Sequence, residues 1–206
     1  MKSKHAFTLI EMLVVIAIIA LLSSLLMPVI NNALERGRIT QCAQRLRSIH
    51  MGLVGYAADH GGTMPPPWGL NSKDNKRFGY YINPYLENRD ANHYGVQERY
   101  RCPDARFYPF LNVHNIGMNP KFSTRPYLDF SNLSNTILVA DARSAFSLFY
   151  DSGNKTNLHA RHRDPTRKGV GAVSAAFGDG HWELVPYERI PTSKPWDQYD
   201  LLNPSL

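Results

Sequence analysis

Ala6-Phe7-Thr8-Leu9-Ile10-Glu11-Met12-Leu13-Val14-Val15-Ile16-Ala17-Ile18-Ile19-Ala20 decides how the rest of this chain is read. A short basic leader, Lys2, Lys4 and His5, runs into an apolar segment in which Glu11 is the sole charge as far as Glu35. A run of that length and apolarity suits a bilayer. An ionised carboxylate in hydrocarbon, however, costs several kcal/mol unless it is paired. Glu11 therefore needs a partner, and the natural one is a new amino terminus created just ahead of it.

The pattern Ala-Phe-Thr-Leu-Ile-Glu followed by an apolar helix resembles the class III signal of type IV pilins and type II secretion pseudopilins. The resemblance implies a cut between Ala6 and Phe7 by the prepilin peptidase, a membrane aspartyl protease that also N-methylates the new Phe7 amine. It implies too that Glu11 is the acid through which each subunit docks onto its neighbour. The family usually has Gly before the cut, and Ala6, the smallest substitute, is expected to give slow or normal processing. An ordinary secretory signal would place a small-x-small cleavage site on the far side of its apolar core. Ser23-Ser24-Leu25-Leu26-Met27 is a poor context for one.

Lys2 and Lys4 favour a cytoplasmic amino terminus, which sends everything after the span outward, into the periplasm or onto the cell surface. No second apolar run is long enough to cross, so a single-pass inner-membrane topology is expected. Removing the two leader lysines from a net charge of +6 leaves +4. The basic residues are scattered, apart from Arg161-His162-Arg163 and Arg167-Lys168, so no nucleic-acid partner is expected on charge grounds. At 206 residues the chain has room for one globular domain besides the anchor. The expected division is a leader at 1–6, a transmembrane and filament-core helix at 7–30, and a globular pilin-like domain at 31–206 whose residues 31–60 continue the helix.

Read in order, Phe7 to about Asp59 is one long helix, about 80 Å at 1.5 Å per residue, with a kink expected at Pro28. Beyond Asn31-Asn32, Ile39, Cys42, Leu46, Ile49, Leu53 and Tyr56 recur at three and four residues between arginines and Gln44, the stripe of a core-facing helix. Gly61-Gly62 and Pro65-Pro66-Pro67 end it. Residues 63 to about 132 form a loop-rich region with a helical turn near Tyr80 to Leu86. The aromatics Trp68, Tyr80, Tyr81, Tyr94 and Tyr108 are better explained as loop anchors than as a contact surface. Strands are expected at Thr136–Ala140, Phe146–Tyr150, Val173–Phe177 and His181–Val185, the last two joined as a hairpin through Gly178-Asp179-Gly180. The tail from Pro186 is expected to be extended. The fold class is α+β: a long helix packed on a small antiparallel sheet with ordered loops.

Cys42, Arg101-Cys102-Pro103-Asp104, Gly117-Met118-Asn119, the strand ending at Asp141 and Phe177-Gly178-Asp179-Gly180-His181 together resemble a large group of bacterial pseudopilin-like proteins. Their C-terminal signature is a His, nine residues, then Asp-Gly. Here sixteen residues separate His162 from Asp179-Gly180, as though residues 164–168 enlarge a hairpin loop. Cys42 and Cys102, the two cysteines, are expected to form one disulfide between helix and middle loops, with two separately buried thiols as the alternative. His159, His162, Asp179 and His181, with Asp141 as a neighbour, are competent metal ligands. The alternative, a turn shaped by Asp179 with imidazoles hydrogen-bonded across strands, is preferred, and no metal or cofactor is expected. Gly-x-Ser-x-Gly, P-loop and His-Glu-x-x-His motifs are missing, so no enzyme is expected.

These features point to a structural subunit of a type II secretion pseudopilus or type IV-pilus-like filament. The partners the resemblance implies are the prepilin peptidase, other pilin-like subunits, an inner-membrane platform protein and its assembly ATPase. The competing reading is a membrane-anchored periplasmic binding module for a glycan or exported protein. A metal-dependent surface hydrolase built on the histidines is a third.

Overall fold

The computed structural model describes residues 8–67, 77–86, 102–103, 116–130, 132–142, 158–163 and 170–190. The architecture is the expected α+β one, a long amino-terminal helix and a small antiparallel sheet. Two compact units divide the chain, residues 1–38 and 39–206.

Helix α1 runs from Leu9 to Asp59 and contains Pro28. Its amino-terminal part has an 18-residue window of mean hydropathy 2.9, none of it buried, which is long and apolar enough to cross a membrane. The character changes from Ile39. Cys42, Ala43, Leu46, Ile49, His50, Gly52, Leu53 and Ala57 are buried. Fully burying a Leu or Ile side chain contributes about 1.5–3 kcal/mol, so Leu46, Ile49 and Leu53 hold this half of the helix to its unit. The helix stops through a glycine cap. Gly61 and Gly62 both take positive φ, 63° and 82°, which lets the Gly62 N–H reach back to the Ala57 carbonyl at 2.7 Å.

Short helix α2 (Phe78–Ile82) and the 3-10 turn Asn83–Tyr85 lie against α1, where the sequence predicts a helical turn. Gly52 makes the approach possible, because a Cβ there would lie 2.8 Å from Leu86 Cδ2. Tyr81 and Tyr85 meet Tyr56 edge-on, with ring centroids 6.0 and 6.2 Å apart, and Tyr80 packs on Tyr81. These tyrosines anchor the loop to the helix; Trp68, Tyr94 and Tyr108 lie outside the described residues.

The sheet comprises β1 (Ile116–Met118), β2 (Ile137–Asp141), β3 (His162–Arg163), β4 (Gly171–Phe177) and β5 (Trp182–Pro186), with every pairing antiparallel. β4 is its axis. β5 pairs along Ala172–Ala176, while β2 and β3 follow one another along the opposite edge, β2 opposite Ala175–Phe177 and β3 opposite Gly171–Ala172. β1 and β3 are additions to the predicted strands, and Phe146–Tyr150 falls outside the described residues. At the start of the tail Tyr187–Arg189 closes a 3-10 turn, in which the Ile190 N–H returns to the Tyr187 carbonyl, in place of the extended form predicted there; residues 191–206 lie outside the described residues.

The two sheet faces bury different sets. One packs Ile116, Met118, Val139 and Ala176 against α1 residues Cys42, Leu46, Ile49 and Leu53. The other buries Val173, Ala175, Phe177, Val185 and Ile190. The β4–β5 turn is fitted closely to its surroundings. A Cβ on Gly178 would stand 2.6 Å from Leu133 Cδ2 and 3.0 Å from the Leu133 carbonyl oxygen. Gly178→Ala is therefore expected to destabilise the fold by about 1–3 kcal/mol, the usual range for overpacking, as read from chemical denaturation beside the wild type.

Candidate functional site

Glu11 occupies the third position of α1, and Thr8 is the residue just ahead of the helix. The Thr8 N–H and hydroxyl both donate to Glu11 Oε2 at 2.8 Å, and the Glu11 N–H donates to Thr8 Oγ1 at 3.3 Å. This is a capping box, which satisfies the orphan donors of the first helical turn. The sequence carries its signal directly, as Thr-x-x-Glu before an apolar run. Ala6 and Phe7 lie outside the described residues.

Deeper in the chain, four chemically reactive side chains from four separate segments converge between α1 and the sheet. Cys42 comes from the stripe of α1 and Cys102 from the middle region. Asp141 ends β2 and His162 opens β3. The β4 edge brings the last two together. Ala140 pairs with Ala175, so the next step of the register sets Asp141 beside Ser174, while His162 pairs with Ala172. Two residues apart along β4, Asp141 and His162 share one face of the sheet, the face that meets Cys42.

All four are buried, and their ligand-type atoms lie within 4.8 Å of one another. Cys102 Sγ is 3.2 Å from His162 Nε2. His162 Nε2 is 3.5 Å from Asp141 Oδ2, and Cys42 Sγ is 3.8 Å from Asp141 Oδ1. The Ser174 N–H donates to Asp141 Oδ2 at 3.3 Å, and buried Arg161 sets Nε 3.8 Å from Oδ1. Arg161 also donates from Nη2 to the Ala142 carbonyl.

The electrostatics of the group are polarised. The hydrogen bond with Cys42 holds the Cys102 thiol down to about 7; burial opposes this and the hydrogen bond to His162 adds to it. Cys42 is pushed well above the ordinary thiol range, first by its hydrogen bond with Cys102, then by burial and by the Asp141 carboxylate. Burial disfavours the charged form of His162, yet the hydrogen bonds to Asp141 and Cys102 outweigh it and raise the imidazole to about 10. These groups and Arg161 thus sit in one buried cluster, where such interactions are strong.

The cluster rearranges the site residues read from sequence. Cys42 and Cys102 do meet, as free thiols rather than a disulfide. The set His159, His162, Asp179 and His181 is divided, since His162 joins the buried cluster while His181 and Asp179 form an exposed pair of their own. Asp179 Oδ1 accepts from the His181 N–H at 3.1 Å and contacts His181 Nδ1 at 2.6 Å, and the His181 ring stacks on Phe177. Gly180, at φ 91°, closes the turn against the His50 ring, and His50 Nε2 meets the Gly178 carbonyl at 3.0 Å. Tyr127 donates its hydroxyl to that same carbonyl. Asp179-Gly180 is therefore a turn docked on α1, and His162 serves elsewhere. Sequence reading missed Arg161 and Ser174, because their roles come from strand register alone.

The family model for the prokaryotic N-terminal methylation motif matches residues 1–27. No curated protein and no solved structure shows significant similarity to the chain. The chain thus carries, ahead of a pilin-like α+β fold, the methylation motif that is a hallmark of type IV pilins and pseudopilins.

Proposed function

We propose that this protein is a non-enzymatic structural subunit of a type II secretion pseudopilus or a type IV-pilus-like filament. Cleavage before Phe7 frees and methylates the amine. Exposed apolar residues of α1 between Leu9 and Ile30 then exchange lipid for the same surface of neighbouring subunits, and Glu11 meets a neighbour's amino terminus. The sheet and loops face outward. An inner-membrane platform protein and its ATPase drive the exchange, and the globular part lies in the periplasm before assembly.

One observation carries this reading. The apolar residues of the first half of α1 are exposed, Leu9 at 87% and Ile10 at 69%, and the matched methylation motif, residues 1–27, covers most of this stretch. A membrane satisfies that surface for a monomer, and an assembly of like helices satisfies it in a filament.

The deciding measurement is intact-mass and terminal-peptide mass spectrometry of the protein from membranes of its host. A chain starting at N-methylated Phe7 is the expected result. An uncut Met1, or a cut near Ser24, would refute the processing step and favour a tethered binding module.

A further inference from the structure

We propose that Cys42, Cys102, Asp141 and His162 form a closed tetrahedral site for a zinc-class divalent ion. The ion would join α1, the middle loops and the sheet.

Geometry is the first argument. Zinc bonds of about 2.0 Å to nitrogen or oxygen and about 2.3 Å to sulfur require ligand atoms about 3.3–3.8 Å apart at the corners of a tetrahedron. With Asp141 Oδ2 as the ligand oxygen, Cys102 Sγ to His162 Nε2 at 3.2 Å, His162 Nε2 to Oδ2 at 3.5 Å and Cys42 Sγ to Oδ2 at 4.0 Å lie close to that scale. They also converge from four segments without any of the four side chains reaching the surface.

Charge is the second. Two thiolates and a carboxylate carry three negative charges against the two positive charges of the ion. Arg161 at Asp141 Oδ1 supplies the balancing one and leaves Oδ2 toward His162. Outer-shell partners of this kind orient ligating carboxylates, and the Ser174 N–H adds a second. Ligand softness then selects the metal. Paired thiolates with imidazole favour zinc over calcium or magnesium, which take oxygen ligands. Four protein ligands leave no open position, so the site is structural rather than catalytic. It is independent of the assembly role and competes with a Cys42–Cys102 disulfide, because a sulfur cannot serve both.

The test uses the full chain purified in detergent without chelator. Elemental analysis should find about one zinc per chain, falling at least tenfold in Cys102→Ser and in His162→Ala. Cobalt added to metal-stripped wild type should produce thiolate-to-cobalt absorption in the near ultraviolet and the visible bands of tetrahedral cobalt. That readout needs no variant to fold. A wild type that yields no cobalt bands after reduction overturns the proposal, as does an intact mass two hydrogens light with no metal present. Zinc content unchanged in both variants would also overturn it.

Discussion

Asp141→Asn is expected to destabilise the 39–206 unit by about 3–5 kcal/mol, the usual cost of breaking a buried ion pair by removing one partner. The carboxylate is fully buried, and Arg161 and His162 approach it at 3.8 and 3.5 Å. An amide keeps the shape but offers Arg161 a neutral oxygen in place of a full charge. It also turns one acceptor oxygen into a donor, facing either the Arg161 guanidinium or the Ser174 N–H. The desolvation cost already met by Arg161 then stands without its main compensation. Glu183→Gln is the control. Glu183 meets Arg189 at 4.0 Å with both side chains substantially exposed, and a pair of that kind contributes about 0–1 kcal/mol. Both variants are compared with wild type by urea denaturation in excess chelator, so that the difference reports the charges rather than a metal. A loss at Asp141 no larger than that at Glu183 would mean that water reaches the cluster.

The parts of the fold legible in the sequence are those whose pattern is long enough to have a period. The core stripe of α1 repeats over several turns, and Cys42, Leu46, Ile49 and Leu53 are all buried as that spacing requires. β4 and β5 are five or more residues long and flank a glycine turn, so their hairpin is readable. β1 and β3, at three and two residues, carry no period at all. They are strands because β2 and β4 offer free edges, which is a tertiary fact. The buried cluster was hidden for the same reason. Asp141 and His162 are twenty-one positions apart, and only the shared β4 edge makes them neighbours. The two cysteines suggested each other, and the histidines suggested Asp179 because it lies close in sequence. Strand register instead gave His162 to the cysteines and left Asp179 to the turn.

Glu11 has two physical explanations that its variants separate. As the third helical residue it closes a capping box with Thr8, an interaction that belongs to one chain. As an acid in an apolar helix it can also pair with a neighbour's amine in a filament. Glu11→Gln preserves the first role, since Gln serves in a capping box as Glu does, and removes the charge needed for the second. Thr8→Ala does the reverse. Neither change weakens membrane retention, because Glu11→Gln removes a charge from hydrocarbon and Thr8→Ala replaces a hydroxyl with a methyl group, and both favour insertion. The expected result is that Glu11→Gln and Glu11→Ala remain in the membrane but lose at least tenfold of their incorporation into sheared or cross-linked filaments, while Thr8→Ala assembles near the wild-type level. If Thr8→Ala fails as badly as Glu11→Ala and Glu11→Gln assembles normally, the carboxylate is a helix cap and the register between subunits must be set by packing of Leu9 to Ile30 alone.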